Sequence, residues 1–81
     1  MISFEPLRKM LNERKISTYF LRNKCGSFNL DSKTIQRLMN DQSVSTYTIN
    51  ALCNILGCDP SDIMDFAPDI IELENVDSSE S

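Results

Sequence analysis

Histidine is absent from the 81 residues, which removes the commonest general base and the commonest metal ligand. No apolar run approaches the roughly 18 residues that a membrane-spanning helix needs. The start, MISFEPLRKM, lacks the basic head and long apolar stretch of a secretory signal. No glycine-rich phosphate loop, no paired carboxylates and no cluster of metal ligands stand out. Cysteine is sparse and odd in number: Cys25, Cys53 and Cys58. In a short chain without a secretory signal, this pattern predicts reduced thiols in a cytoplasmic protein. Cys53 and Cys58 have no second pair and no histidine near them, so small core side chains are the expected role of all three. Catalysis, cofactors and metal are therefore not expected. An activated cysteine would need a basic neighbour; Cys25 does stand beside Lys24, but at a helix end that is an ordinary core position.

Basic residues are missing from half of the chain. All eight lie in residues 1–40: Arg8, Lys9, Arg14, Lys15, Arg22, Lys24, Lys33 and Arg37. Against Glu5, Glu13 and Asp31 they leave that half at +5, while residues 41–81 carry nine acids, which recovers the net −4. A pI near 4.5 argues against nucleic acid only for evenly spread charge. Phosphate responds to the local patch. The other reading is a solvated basic face with no partner.

Strand-length alternation is absent as well, and helix signals fill its place. An apolar residue, a capping residue and a second apolar residue five after the first make a hydrophobic staple around an N-cap. The pattern occurs at Ile16-Ser17 with Leu21, Leu30-Asp31 with Ile35, Val44-Ser45 with Ile49, and Cys58-Asp59 with Ile63. Ile2-Ser3 with Leu7 fits the same frame, and Glu5-Pro6 is an alternative start. Gly26 and Gly57 mark stops, and Pro60 suits a first helical position. Helices are predicted at 4–14, 18–25, 32–40, 46–56 and 60–66, giving an all-α domain over residues 1–68. The apolar faces are Phe4, Leu7 and Leu11; Phe20, Leu21 and Cys25; Ile35, Leu38 and Met39; Ile49, Leu52, Cys53 and Leu56; and Ile63, Met64 and Phe66. Residues 69–81 read as an acidic tail. In it Ile70, Ile71, Leu73 and Val76 suit a short strand or turn, and the final DSSES reads as disorder.

The second and third helices are short and joined by a turn that begins at Gly26, as in a helix–turn–helix. Such a pair can present its second helix to a major groove about 12 Å wide. The outward positions of helix 32–40 are Ser32, Lys33, Thr34, Gln36, Arg37 and Asn40. None is acidic, and each can donate hydrogen bonds. Arg and Lys suit guanine, and Gln and Asn suit adenine. Ser32, Lys33, Thr34, Gln36 and Arg37 are the expected base readers. Phosphate contacts are expected from Ser17 and Thr18 at a helix start, from Lys24 near the turn, and from Asn40, Gln42 and Ser43 beyond the recognition helix. For Ser17 and Ser45 a plain capping role is the better reading; for Lys33, Gln36 and Arg37 a merely solvated role is the worse one.

The chain resembles the Cro/C1-type (lambda-repressor-like, XRE) transcriptional regulators from about Ile2 to Pro68. The most specific stretch is STYTINALCNILGCDPSDIMDF, Ser45 to Phe66. FEPLRKMLNERKIS and Leu30-Asp31-Ser32-Lys33-Thr34-Ile35-Gln36-Arg37-Leu38 are similar to it too. The resemblance implies five helices, DNA binding through helix 32–40, and a homodimer on a palindromic operator. It also implies that Thr18, Ser32, Lys33, Gln36 and Arg37 hold positions that commonly face DNA. In two places the chain departs from the pattern. The turn Gly26-Ser27-Phe28-Asn29-Leu30-Asp31 is longer than usual, which frees Phe28 to wedge against core or DNA. The usual Asn-Gly after the recognition helix is Asn40-Asp41, which puts an acid near phosphates.

The expected partner is double-stranded DNA, with no membrane and no evident small-molecule effector. The segment at 60–66 and Ile70–Val76 are the candidate dimer surfaces, unless the latter folds back on its own domain. The competing function is a protein-interaction module, antitoxin-like or anti-repressor-like, that uses the acidic half.

Overall fold

A computed structural model describes residues 1–70, and residues 71–81, with the strand-or-turn and disorder expectations for the tail, lie outside it. Four α-helices form: α1 (Glu5–Glu13), α2 (Thr18–Asn23), α3 (Ser32–Met39) and α4 (Thr46–Leu56). Short 3-10 turns occupy Gly26–Phe28 and Pro60–Asp62, and two short strands, β1 (Ile2–Ser3) and β2 (Asp65–Phe66), pair antiparallel.

Local chemistry sets most of the boundaries. Ser17 Oγ accepts the Phe20 N–H at 3.1 Å, Asp31 Oδ1 accepts that of Thr34 at 2.8 Å, and Ser45 Oγ accepts that of Thr48 at 3.2 Å. Each cap satisfies an amide that the first helical turn leaves without a partner. Gly57 ends α4 in the left-handed region, at φ +66°. Two helices stop the same way without glycine. Lys15 and Asp41 both sit at φ +57°. Beyond them, Ile16 N–H reaches back to Leu11 O at 2.8 Å and Gln42 N–H to Arg37 O at 2.8 Å. These backbone bonds close the last turn and offset the cost of the left-handed residue. The helix predicted at 4–14 starts at Glu5-Pro6; Ser3 belongs to β1, and its Oγ also accepts the Glu5 N–H at 3.1 Å.

The helix predicted at 60–66 does not form. The Asp62 carboxylate accepts the Asp59 N–H at 3.0 Å and starts a turn, but Ile63 and Met64 N–H both return to Pro60 O and nothing propagates beyond them. Pro68 biases Ala67 to extended backbone, so the segment leaves the helical path. Ile2 pairs with Phe66 and Ser3 with Asp65, which supplies ladder partners that a single helical turn lacks. Among the described residues the domain is thus four α-helices with a two-stranded ribbon, and the fifth expected helix is not confirmed.

One residue from each helix, and one from beyond the last turn, meets at the centre. Leu7, Leu21, Leu38, Leu52 and Ile63 are all fully buried. Burial of each side chain contributes about 1.5–3 kcal/mol. Phe20 and Phe66, both expected inside, are 40% and 64% exposed. Leu21 takes the single core-facing position of the short α2 and leaves Phe20 about 100° round the helix. Phe66 lies on the ribbon, where successive side chains alternate between faces. The three cysteines are half-buried, unbridged and packed against the core.

Candidate nucleic-acid interface

The candidate interface is built from α2, the turn after it, and α3. Gly26 turns the chain at φ +62°. Asn29 Oδ1 then accepts the Cys25 N–H at 2.7 Å, and Leu30 N–H returns to Leu21 O at 2.9 Å. These bonds tie the long turn back onto α2. Phe28 is half-buried against the core, while Ser27 and Asn29 beside it are exposed. Leu30 and Ile35 are buried beside Leu38, which fixes the inner face of α3.

The opposite face of α3 is open. Ser32, Lys33, Gln36 and Arg37 are exposed. Thr34 is half-buried, and its hydroxyl and N–H hold the Asp31 carboxyl below the usual carboxylate range. Asn40 is exposed, with its amide donating to Gln36 O at 2.8 Å. Ser17, Thr18, Lys24, Gln42 and Ser43 are also exposed. Ser17 uses a lone pair for its cap, and its hydroxyl hydrogen stays available.

Sequence reasoning missed what two of the arginines do. Arg8 donates from Nη1 to Leu38 O at 3.0 Å and to Asp41 Oδ1 at 2.8 Å. The same carboxylate oxygen accepts the Phe4 N–H at 2.7 Å. Asp41 therefore clasps the start of α1 to the end of α3. Arg8, with the Phe4 amide, holds its carboxyl below the usual range. Its charge is paired at Arg8 instead of standing free against phosphate. Arg14 donates to Leu56 O at 2.9 Å and closes the end of α4. Arg8 is tied to Asp41, and Arg14, though exposed, spends a donor on Leu56; Lys9, Lys15, Arg22, Lys24, Lys33 and Arg37 are exposed as well. Tyr47, 63% exposed just after the Ser45 cap, is a further hydroxyl donor that sequence reasoning passed over. An exposed aromatic at the start of a helix was its only signal.

Nucleophilic chemistry finds no support in the thiols. Burial pushes the Cys25 thiol up, opposite to an activated cysteine, and its Sγ donates to Phe20 O at 3.3 Å. Cys58 is raised as well, by burial first and by Cys53 second.

A family model for the Cro/C1-type helix–turn–helix DNA-binding domain matches residues 6–69. The chain belongs to this family. The crystal structure of the transcriptional regulator VanUg superimposes with a TM-score of 0.70 at 29% identity, covering 84% of this chain and 87% of that one. No curated protein matches. As a Cro/C1-type protein, the chain carries a DNA-binding helix–turn–helix domain of a family that is typically non-enzymatic. Among the described residues no helix is long and apolar enough to cross a membrane.

Proposed function

We propose that this Cro/C1-type chain is a cytoplasmic transcriptional regulator that binds double-stranded DNA sequence-specifically, as a homodimer, with α3 in the major groove. Residues 1–68 form the working domain in this reading. The observation that carries it is the outer face of α3: Ser32, Lys33, Gln36 and Arg37 are exposed, and no acid stands among them. Lys33 and Arg37 supply donors for guanine, and Gln36 supplies the bidentate amide for adenine. Thr34 contributes from the edge of this face. Ser17, Thr18, Lys24, Asn40, Gln42 and Ser43 then fix register on phosphates. The likeness to a transcriptional regulator supports the same reading.

Salt titration of duplex binding by fluorescence anisotropy tests it. Log affinity should fall linearly with log salt, with a slope set by the number of phosphates contacted. The competing reading rests on the exposed acids Asp59, Asp62, Asp65 and Asp69, a surface suited to a protein partner. Failure to bind any duplex at low salt, with a protein partner co-purifying, would favour that reading.

A further inference from the structure

A strand edge with unpaired backbone groups is a template for another chain, and β1 has such an edge. Ile2 stands opposite Phe66 in the ribbon. Beside them, Ala67 N–H donates to Met1 O at 3.0 Å, which makes Met1 and Ala67 a hydrogen-bonded pair. Hydrogen-bonded and non-hydrogen-bonded pairs alternate in an antiparallel ladder, so the Ile2 N–H and C=O face away from β2. Among the described residues neither group finds a partner. Opposed residues of an antiparallel pair share one face of the sheet. Ile2 and Phe66 are 44% and 64% exposed there. The ribbon thus shows water one open edge and two large apolar side chains.

We infer that a second copy of this chain covers the edge, with β1 pairing antiparallel to the partner's β1 about a two-fold axis at Ile2. This rests on the homodimer reading above and gives it a surface. Three observations point there. First, the edge is self-complementary. Ile2 offers one donor and one acceptor on the same side, so each copy can return both bonds to the partner's Ile2. Second, the pairing lines up Phe66, Ile2, the partner's Ile2 and the partner's Phe66 across one face of a four-stranded sheet. A two-stranded ribbon is marginal in water, and added strands with an apolar face stabilise it. Third, the charges permit it. No charged side chain stands on β1. Asp65 and the partner's Asp65 would be three strand spacings apart, about 14 Å, beyond a Debye length of about 8–10 Å. Nucleic acid fits the edge poorly, because phosphate would meet Asp65 on β2 and Asp69 beside Met1.

The contact is small. Two apolar side chains per copy fall well short of the about 800 Å² a side that a stable complex buries. Pairing is therefore weak in free solution, and two half-sites on one duplex complete it by holding the copies together. It also bears on α3. Asp41, just beyond α3, accepts the Phe4 N–H at 2.7 Å, two residues from Ile2. Pairing at Ile2 thus sets how the two α3 copies stand relative to each other.

Sedimentation equilibrium of the full-length chain without DNA tests the inference, beside methyl-detected NMR on a mixture of differently labelled chains. A concentration-dependent monomer–dimer equilibrium is expected, with Overhauser contacts between the Ile2 methyls of the two labels. Ile2→Pro removes the outward donor and spares the ladder to β2, so it should melt with the parent. Each dimer then loses two hydrogen bonds, and association should weaken roughly 5- to 150-fold. Phe66→Lys leaves the edge donors in place but sets a charge in the apolar row, and it should weaken association too. Either variant, folded and associating like the parent, would overturn the inference. So would a full-length chain that stays monomeric at millimolar concentration, or Ile2 contacts confined to residues 71–81 of the same chain. Sedimentation involves no DNA, so its failure is distinct from failure of the regulator reading. In that case the parent and Ile2→Pro would still bind a single half-site equally.

Discussion

Replacing Arg37 by alanine separates recognition from folding. The Arg37 side chain is exposed and makes no hydrogen bond or ion pair among the described residues. Its remaining support to the fold is the favourable position of a cation in the last turn of α3, about 0.3–1 kcal/mol, and a minor attraction to the Asp31 carboxylate. For a domain of this size that moves the melting midpoint by no more than about 4–8 °C. Loss of a bidentate contact to guanine costs about 1–3 kcal/mol. At about 1.4 kcal/mol per tenfold, affinity for the preferred duplex falls roughly 5- to 150-fold. Discrimination at one base pair of each half-site should disappear with it. The assay is competition binding against duplexes substituted at each position, beside thermal unfolding of the same preparation. An unchanged preference profile in a folded variant would refute base reading by Arg37. An equal loss on every sequence would make it a phosphate contact instead.

Other substitutions probe the remaining parts. Leu38→Ala empties a fully buried site under α3 and should cost about 2–5 kcal/mol in urea unfolding; a loss near zero would deny that Leu38 anchors the helix. Lys24→Ala should weaken binding to all sequences equally and lower the salt slope by about one, and a loss confined to one base position would contradict that. Asp41 and Asp31 both have carboxyl groups held below their ordinary range, Asp41 chiefly by Arg8 and Asp31 chiefly by Thr34. Their contribution is complete above the unfolded-state carboxyl range and is lost as pH falls through the lowered folded-state values. Stability should therefore decline on acidification, and Asp41→Asn should flatten that decline. Identical acid profiles for the variant and parent would exclude the clasp as its source.

What the sequence reveals is what neighbours decide. Ser17, Asp31 and Ser45 cap helices through amides three residues away, so their roles follow from local spacing. The open face of α3 follows from the 3.6-residue period once Ile35 and Leu38 point inward. Features made by distant partners stay hidden. The β1–β2 ribbon joins residues more than sixty positions apart through two-residue strands, too short to show alternation. The Arg8–Asp41 clasp joins α1 to the residues just after α3, and nothing near either residue announces it. Lys15 and Asp41 take left-handed conformations without the glycine that marks such a stop at Gly57. Phe66 reads as core at helical spacing but lies on a two-residue strand whose side chains are both exposed.

Selection of bound fragments from a pool of random duplex DNA tests the central claim most directly. A single enriched motif is predicted, with two inverted half-sites centred about 34 Å apart, one helical turn. A folded protein that recovers fragments of no common sequence, or none at all, would contradict it.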